Sequence, residues 1–286
     1  IALLKKERKE KSNFLQQTLF SKYAFLNQRK ELKSLLTIFD DPAIKPPAGS
    51  GECAAPKLLN YAFANNLKPN LSEDKKLDII FEDDVVIVVN KPAEFLSVPG
   101  KTIQDSVYSR IKEKYPLATG PLIVHRLDMS TSGILLLTKT KEANKVLADL
   151  EKTENDINSG TVKKRYVALL NGDLAKKSGT IQLPIRVDLD DRPKQLVDFV
   201  HGKNAETNWE IINKENGKTR VYFYPITGRT HQLRVHAAHK NGLNTPILGD
   251  DLYGNKANRL HLHAQFIEFL HPTTHKKMSF TVDADF

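Results

Sequence analysis

The stretch VHRLDMSTSG, residues 124–133, stands directly before the apolar run ILLL at residues 134–137. A short apolar run of this kind is typical of a buried β-strand. At its entrance, Arg126 and Asp128 alone could form no more than a structural ion pair. The three hydroxyl residues at 130–132 favour a second interpretation, because such side chains hydrogen-bond nearby backbone and fix loops. We therefore interpret the stretch as a fixed loop that presents the Asp128 carboxylate at the end of a rigid strand.

The composition describes a basic globular protein of 286 residues with a net charge of +9. Such a charge fits either a polyanionic partner, whose phosphates lysine and arginine would neutralise, or an ordinary solvated surface. The single cysteine, Cys53, excludes an intrachain disulfide framework and favours the reducing cytoplasm. No apolar stretch approaches the roughly 20 residues that span a bilayer, so no membrane partner is expected. The chain begins with Ile1 rather than Met, which indicates a piece of a longer protein.

Two parts of the chain differ in pattern. Residues 1–38 carry apolar residues three or four apart between lysines and glutamates, which predicts one or two amphipathic helices. A linker rich in Pro and Gly follows at 45–51. Farther along, short runs rich in branched residues alternate with polar turns, which predicts strands. We divide the chain into a helical N-terminal accessory segment with its linker, residues 1–76, and a second domain, residues 77–286.

The second domain is predicted to be α+β. Strands are expected at 78–81, 85–89, 134–138, 166–170, 208–212, 219–224 and 279–282, and helices at 141–150 and 230–240. This order lacks a regular βαβα rhythm, and neither of the glycine-rich nucleotide motifs GxGxxG and GxxxxGK[ST] occurs. We therefore expect a mainly antiparallel sheet rather than a doubly wound nucleotide-binding fold.

A second polar segment, YPITGRTHQLRVH at residues 224–236, combines a turn with a helix start. Thr230 is the expected N-cap of the helix. Arg229 would then lie in the turn before the helix, where a guanidinium can bind a carboxylate from another segment through two hydrogen bonds. Without Asp128 as that partner, Arg229 would be interpreted as an ordinary surface arginine.

A third segment, KKRYVAL at residues 163–169, places three cations before an aromatic residue at the start of a strand. A lone tyrosine in a strand usually packs in the core or across the sheet. Tyr166 has a second interpretation, because an aromatic ring beside cations can stack on a nucleic-acid base while the cations hold phosphates.

Residues 231–275 hold seven of the nine histidines of the chain. No HExxH motif occurs, and His261 and His263 lack a carboxylate or a third ligand at a familiar spacing. We expect these two histidines to share one face of a strand and to find hydrogen-bond partners, so no metal site is predicted.

Three motifs in this order, VHRLDMSTSG, KKRYVALLNG and PITGRTHQLRVH, closely resemble the RluA family of RNA pseudouridine synthases. Shorter stretches support the resemblance, among them NKPA at 90–93, SVPG at 97–100 and RPKQ at 192–195. The similarity spans residues 78–286. It implies a pseudouridine synthase fold for the domain at 77–286, with a long, bent, mainly antiparallel mixed sheet, flanking helices and a central catalytic cleft. It also implies that uridine in RNA is isomerised to pseudouridine without a cofactor or a metal.

The resemblance implies roles for four residues. In the family the aspartate of HRLD is essential, and it corresponds to Asp128. The tyrosine of the second motif and the arginine of the third correspond to Tyr166 and Arg229, which would stack on the extruded uracil and keep Asp128 ionised. Asp128 could attack C1′ of the ribose or remove a proton from C2′, and the sequence does not choose between nucleophile and base. Arg126 corresponds to a residue that helps to hold the target base out of its stack.

Further contacts to RNA are expected from cations near these motifs. The candidates are Arg126, Lys163, Lys164, Arg165, Arg192 and Lys194. The SVPGK and RPKQ stretches look most like the branch of the family that acts on both a 23S rRNA hairpin and a tRNA anticodon stem-loop. The expected partner is therefore structured RNA, and the chain is expected to act as a monomer in the cytoplasm.

Alternatives remain open for both parts of the chain. The lysine-rich helices of residues 1–76 could bind RNA, rest on the catalytic domain or pair with another copy. The second domain could be a catalytically silent RNA-binding or ribosome-assembly protein of the same fold, although the intact Asp128, Tyr166 and Arg229 argue against this. A hydrolase in which water captures an intermediate on Asp128 is disfavoured, because no motif places the second carboxylate that it would need.

Overall fold

A computed structural model of the chain describes residues 77–119, 122–152 and 162–286, together with short pieces of the first 76 residues. These pieces are residues 11–12, 14–15, 18, 24–26, 31–34, 60–61 and 64–65. The chain divides into two compact units, Ile1–Lys75 and Lys76–Phe286. Within the described residues, no helix is both long enough and apolar enough to cross a membrane.

The first unit contains strands where the sequence pattern predicts helix. Residues 11–12, 14–15 and 18 are helical, but β1 (Ala24–Leu26) and β2 (Leu32–Ser34) form an antiparallel hairpin. The helix prediction is wrong for these two strands, because the apolar period of three or four is interrupted between Leu26 and Leu32, which instead oppose each other across the hairpin. The predicted linker at 45–51 lies outside the described residues.

The second unit is built on one large sheet. Its strands are β3 (Asp78–Glu82), β4 (Val86–Lys91), β5 (Ser132–Thr138), β6 (Lys163–Leu170), β7 (Ser178–Gln182), β8 (Ile185–Val187), β9 (Gln195–Val197), β10 (Glu206–Glu215), β11 (Lys218–Pro225), β12 (Leu262–Leu270) and β13 (Lys277–Thr281). Its helices are α1 (Val107–Lys114), α2 (Lys141–Lys152) and α3 (Gln232–Ala238). The order across the sheet is β3, β4, β5, β12, β6, β11, β10 and β7, with β13 paired to β12, while β8 and β9 form a separate hairpin.

The sheet is mixed but mainly antiparallel, as predicted. β5 and β12 run parallel, with Ser132 opposite His263 and Gly133 opposite Ala264. The other ladders of the sheet are antiparallel. Because Ser132 and Gly133 are the first residues of β5, this parallel pair brings the polar stretch 124–133 to the middle of the sheet.

Side chains of the central strands fill separate cores on the two faces of the sheet. Ile87 and Leu135 pack with α1, whereas Val88 and Leu136 pack with α2. Burial on both faces explains why β4 and β5 are continuous apolar runs rather than alternating ones. A further core joins β6, β10 and β11 to α3. Tyr166 packs against this core and against the α1 core, so it lies where the two halves of the sheet meet.

The nine elements predicted for the second unit are present, with boundaries that differ by a few residues. The prediction misses α1, β7, β8, β9 and β12. In β12 a bulge lies between Ala264 and Phe266, and the extra residue shifts the inward and outward alternation of side chains by one position. A strict period of two is therefore absent from the sequence of this strand.

Candidate active site

A cavity of about 730 Å³ lies between the loop before β5, the strand β6 and the segment that runs from the end of β11 into α3. Asp128, Tyr166 and Arg229 all line it. Arg126 and Lys164 line it as well. Residues from all three motifs therefore reach the same cavity, although the motifs are far apart in the sequence.

The loop that carries Asp128 is held by the segment between β4 and α1. Ser97 Oγ donates to the carbonyl of Leu127 at 2.7 Å and accepts a hydrogen bond from the amide of the same residue at 3.1 Å. The amide of Phe95 donates to the carbonyl of Met129 at 3.1 Å. Both neighbours of Asp128 are thus fixed, and the carboxylate is presented from a rigid support.

Lys91 fixes the same loop from inside the protein. Its side chain is fully buried, and its Nζ donates to the carbonyls of Pro92, Phe95 and Met129 at 2.9, 2.7 and 3.0 Å. A buried ammonium group is tolerated when its donors are hydrogen-bonded in this way. Lys91 therefore ties the end of β4 to the residue after Asp128. Sequence interpretation missed this role, because lysine is ordinarily a surface residue.

The hydroxyl residues at 130–132 were expected to fix the loop. The side-chain hydrogen bonds described for this group are those of Ser132. Its Oγ lies 2.8 Å from His263 Nδ1 and accepts a hydrogen bond from Arg259 at 2.5 Å. Ser132 is already part of β5. These contacts therefore anchor the start of the strand, while Lys91 and Ser97 hold the loop itself.

The histidines His261 and His263 find hydrogen-bond partners, as expected. His263 Nε2 donates to the carbonyl of Val282 at 3.0 Å, and His261 Nδ1 lies 3.1 Å from the carbonyl of Leu248. Burial lowers the pKa of both imidazoles, so both are neutral near pH 7. Among the described residues, no three His, Cys, Asp or Glu side chains form a group that could hold a metal ion.

The turn that carries Arg229 is fixed by the side chain of Gln232. Its Oε1 accepts hydrogen bonds from Thr227 Oγ1 at 2.7 Å and from the amide of Arg229 at 2.9 Å, and its Nε2 donates to the first carbonyl of β10 at 2.9 Å. α3 begins at Gln232, after an N-cap at His231 in the left-handed conformation with φ of 54°. The prediction of Thr230 as N-cap is wrong, because the left-handed residue His231 delays the helix start to Gln232 and is itself the N-cap, without a side-chain capping hydrogen bond.

Arg229 and His231 reach the cavity from this turn. Arg229 Nε donates to the carbonyl of Asn204 at 2.9 Å. His231 Nε2 lies 4.0 Å from Oδ2 of Asp128, whose side chain is 27% exposed against 9% for the histidine. Burial lowers the pKa of His231, although the charge of Asp128 opposes this, so the imidazole is neutral near pH 7. Sequence interpretation did not select His231 as a site residue, and its position inside GRTHQLR was the available signal.

The alternation of β6 separates the cations of the second motif, KKRYVALLNG. Lys164 lines the cavity beside Tyr166. Lys163 instead pairs with Glu268 at 3.4 Å. The Arg165 guanidinium lies over the rings of Tyr222 and Phe266, 4.5 and 5.3 Å from their centroids. Because alternate residues of a strand point to opposite faces, two of the three expected RNA contacts are directed away from the cavity.

Arg192 and Lys194 lie in the loop between β8 and β9 and do not line the cavity. Lys194 Nζ donates to Asp191 at 2.6 Å, and this hydrogen bond raises the pKa of Lys194. Any contact of these two cations with RNA would therefore be made outside the cavity.

Helix α3 is anchored to its surroundings by buried polar contacts. His236 Nδ1 lies 3.0 Å from Thr207 Oγ1, and its Nε2 donates to the carbonyl of Leu183 at 3.3 Å. Burial lowers the pKa of His236 to about 4, which keeps it neutral. Arg234 donates two hydrogen bonds to Asp250, at 2.9 and 2.6 Å, and both side chains are buried. These contacts hold the helix that follows Arg229 and His231 in one position.

The part of the chain that holds the cavity is similar to known proteins. A sequence profile of a family described as RNA pseudouridylate synthase matches residues 85–239. Two curated relatives, from Yersinia pestis and Haemophilus influenzae, are each named dual-specificity RNA pseudouridine synthase RluA. Both are 40% identical, over 216 and 218 residues, which is 73% of this chain and 99% and 94% of the relatives. The solved structure of human RNA Pseudouridylate Synthase Domain Containing 1 has a TM-score of 0.60 and 25% identity, covering 76% of this chain and 86% of that one.

Proposed function

The chain belongs to the RNA pseudouridine synthase family, and we propose that it isomerises a uridine in a structured RNA with Asp128 as the catalytic carboxylate. The convergence of Asp128, Tyr166 and Arg229 on one cavity carries this assignment of residues. A cavity of about 730 Å³ is large enough to enclose an extruded nucleotide base. Residues 77–286 are proposed to be the catalytic domain.

The reaction exchanges one bond of the ribose for another. The bond between N1 of uracil and C1′ breaks, and a bond between C5 and C1′ forms. As nucleophile, Asp128 would displace N1 by bonding to C1′, and C5 of the uracil anion would then displace the carboxylate. As base, Asp128 would remove a proton from C2′ as N1 leaves and would return it to C2′ when C5 bonds to C1′. In both routes the proton on C5 is finally lost and N1 gains one.

The two routes differ in whether the bond between C2′ and its hydrogen is broken. Uridine with deuterium at C2′ distinguishes them, because the reaction is slowed by a primary isotope effect only when Asp128 acts as the base. The same substrate is expected to react at the ordinary rate when Asp128 attacks C1′. Single-turnover rates on labelled and unlabelled RNA are the measurement.

Arg229 is proposed to pair with Asp128 in the cavity. A guanidinium beside a carboxylate favours its ionised form, which both routes require. The hydrogen bond from Arg229 Nε to Asn204 and the fixed turn around it support this role, because they limit the positions open to the guanidinium.

Arg126 and Lys164 also line the cavity, and they are proposed to help extract the target nucleotide. Arg126 would occupy the space that the flipped base leaves in its stack, and Lys164 would hold a flanking phosphate. Flipping costs a few kcal/mol, comparable with the roughly 1–3 kcal/mol that one stacking contact returns. Stacking on Tyr166 alone would therefore do little more than offset the free energy of flipping, and would add little to the free energy of binding.

We expect Tyr166→Leu to lower kcat/KM for RNA by about 5- to 150-fold, because the ring proposed to stack on the uracil is lost. Tyr166→Phe keeps the ring and is expected to bind RNA as the wild type does. A loss of rate in Tyr166→Phe would then report on the hydroxyl in the removal of the C5 proton. Rates of pseudouridine formation and RNA affinities, measured side by side, check these expectations.

Tyr224→Leu is the matched control for this series, because Tyr224 lies on the neighbouring strand β11 and does not line the cavity. Its Oη is hydrogen-bonded to Glu210 at 2.5 Å. If Tyr166→Leu and Tyr224→Leu were equally active, the ring of Tyr166 would have no part in the reaction.

The proposed substrates are a 23S rRNA hairpin, a tRNA anticodon stem-loop or both, modified by a monomer in the cytoplasm. The relatives named dual-specificity RNA pseudouridine synthase support this proposal, together with the SVPGK and RPKQ stretches. Pseudouridines mapped across total RNA from cells with and without the gene test it. We expect at least one uridine in a hairpin loop to lose its modification without the gene and to regain it with wild-type protein. Identical maps would contradict the proposal.

A further inference from the structure

A chain of hydrogen bonds runs from the backbone of β9 to His231, whose ring faces Asp128. The amide of Gln195 donates to Tyr253 Oη at 2.7 Å. Tyr253 Oη lies 2.8 Å from Nδ1 of His231, and the two rings meet edge to face. The other ring nitrogen of His231, Nε2, is the one that lies 4.0 Å from Asp128 Oδ2. One nitrogen of the imidazole therefore faces Tyr253 and the other faces the carboxylate.

The direction of these hydrogen bonds fixes where the imidazole carries its proton. A backbone amide only donates, so the Tyr253 oxygen accepts from Gln195. Burial raises the pKa of Tyr253 to about 12, so its hydroxyl keeps its own proton. The acceptor at hydrogen-bond distance from that proton is His231 Nδ1. A neutral imidazole that accepts at Nδ1 carries its hydrogen on Nε2, on the side of Asp128.

Tyr253 is itself held in place by a buried ion pair. Asp250 Oδ1 accepts hydrogen bonds from the amides of Leu252 and Tyr253 at 3.0 and 3.1 Å. The same carboxylate binds Arg234, whose guanidinium lies 5.4 Å from the centroid of the Tyr253 ring. The tyrosine hydroxyl is thus positioned by the same contacts that anchor α3.

We propose that His231 is a positioning residue for Asp128, and that Tyr253 holds it in the tautomer with hydrogen on Nε2. The Nε2–H would orient Oδ2 of the carboxylate and leave Oδ1 for the ribose, and the 4.0 Å separation would shorten when RNA fills the cavity. Because the imidazole is neutral, it orients the Asp128 carboxylate without adding a positive charge to that of Arg229. This inference rests on the proposed function, since it assigns His231 a role in the reaction of Asp128.

The tautomer can be observed without any activity. In wild-type protein labelled with ¹⁵N on histidine, we expect His231 to show a bare Nδ1 and a protonated Nε2, with His231→Gln identifying its signals. Tyr253→Phe removes the hydroxyl that donates to Nδ1, and we expect a mixture of tautomers in this variant. Tyr224→Phe, which also loses one hydroxyl but lies outside the cavity lining, is expected to leave the His231 signals unchanged.

The role in the reaction is tested by single-turnover rates at saturating RNA. Tyr253→Phe and His231→Phe are each expected to slow pseudouridine formation by about 10- to 100-fold, because a misplaced catalytic group is costly, while RNA affinity is retained. His231→Gln, which keeps an N–H donor near the position of Nε2, is expected to recover part of the rate lost in His231→Phe. Tyr224→Phe is expected to react as the wild type does. Thermal unfolding of each variant shows whether a low rate reflects loss of the fold.

The outcomes separate this inference from the proposed function. If the wild type forms no pseudouridine on any RNA, the proposed function fails, whatever the tautomer. If the wild type is active and Tyr253→Phe and His231→Phe match its rate, the positioning role is overturned. A wild-type spectrum with hydrogen on Nδ1 overturns it as well. If His231→Phe fails to fold, the rates and histidine spectra of Tyr253→Phe and Tyr224→Phe still decide whether the positioning role holds.

Discussion

Asp128→Asn is expected to abolish pseudouridine formation, lowering the single-turnover rate by at least about 10⁴-fold while RNA affinity is retained. The amide has nearly the shape of the carboxylate, so the loop held by Lys91 and Ser97 has no reason to move. An amide can neither bond to C1′ as a competent nucleophile nor take a proton from C2′. Loss of one negative charge near the phosphates is expected to leave binding unchanged or to strengthen it.

Asp173→Asn is the matched control for this substitution, because Asp173 is exposed and does not line the cavity. Rates and affinities for the two variants should be measured on the same RNA. A rate for Asp128→Asn close to that of Asp173→Asn would remove Asp128 from the chemistry. A fall in affinity equal to the fall in rate would show instead that Asp128 serves binding.

Gly133→Ala is expected to lower the free energy of unfolding by more than about 4 kcal/mol. A Cβ at this position would lie 2.3 Å from the carbonyl oxygen and 2.6 Å from the amide nitrogen of Ala264, and φ of Gly133 is +111°. Both the conformation and the space therefore require glycine. Because β5 and β12 pair at this point, relief of the clash would separate the parallel strands beside the Asp128 loop. Urea unfolding of the purified variant is the measurement.

Gly217→Ala isolates the cost of the conformation from the cost of the clash. Gly217 also has positive φ, +68°, but a Cβ there would meet no atom within 4 Å. We expect this control to lose only about 1–2 kcal/mol. If Gly133→Ala lost no more unfolding free energy than Gly217→Ala, the close approach of β5 and β12 would be easily relaxed. Gly133 would then not be needed for their pairing.

The sequence was sufficient to predict most strands of the second unit, because their burial leaves a local pattern. β4 and β5 are buried on both faces and are therefore continuous apolar runs. β12 could not be predicted, since the bulge at Ala264 and Phe266 breaks the period on which strand prediction depends. The hairpin of β1 and β2 was mistaken for helix because two short strands leave too few residues to distinguish one period from the other.

The three residues proposed for the site were selected from motifs, but the groups that hold them could not be predicted in this way. Asp128, Tyr166 and Arg229 belong to long polar segments that resemble a family, and the structure brings all three to one cavity. The partner of His231 is Tyr253, 22 residues away in a turn without a recognisable pattern. Lys91 holds the Asp128 loop because its side chain is buried, and the sequence does not show which lysines are buried. Such contacts depend on the assembled sheet rather than on local spacing.

The packing of Tyr166 between two cores has a consequence for how sequences of this kind can diverge. The ring packs against one cluster that contains Leu127 and another that contains Phe223, and it also lines the cavity. A change of side-chain volume in either cluster therefore shifts the ring relative to the target base. Related chains that accept such a change in one half of the sheet should carry a compensating change in the other half. The two cores are then expected to covary through a residue that is proposed to take part in the reaction.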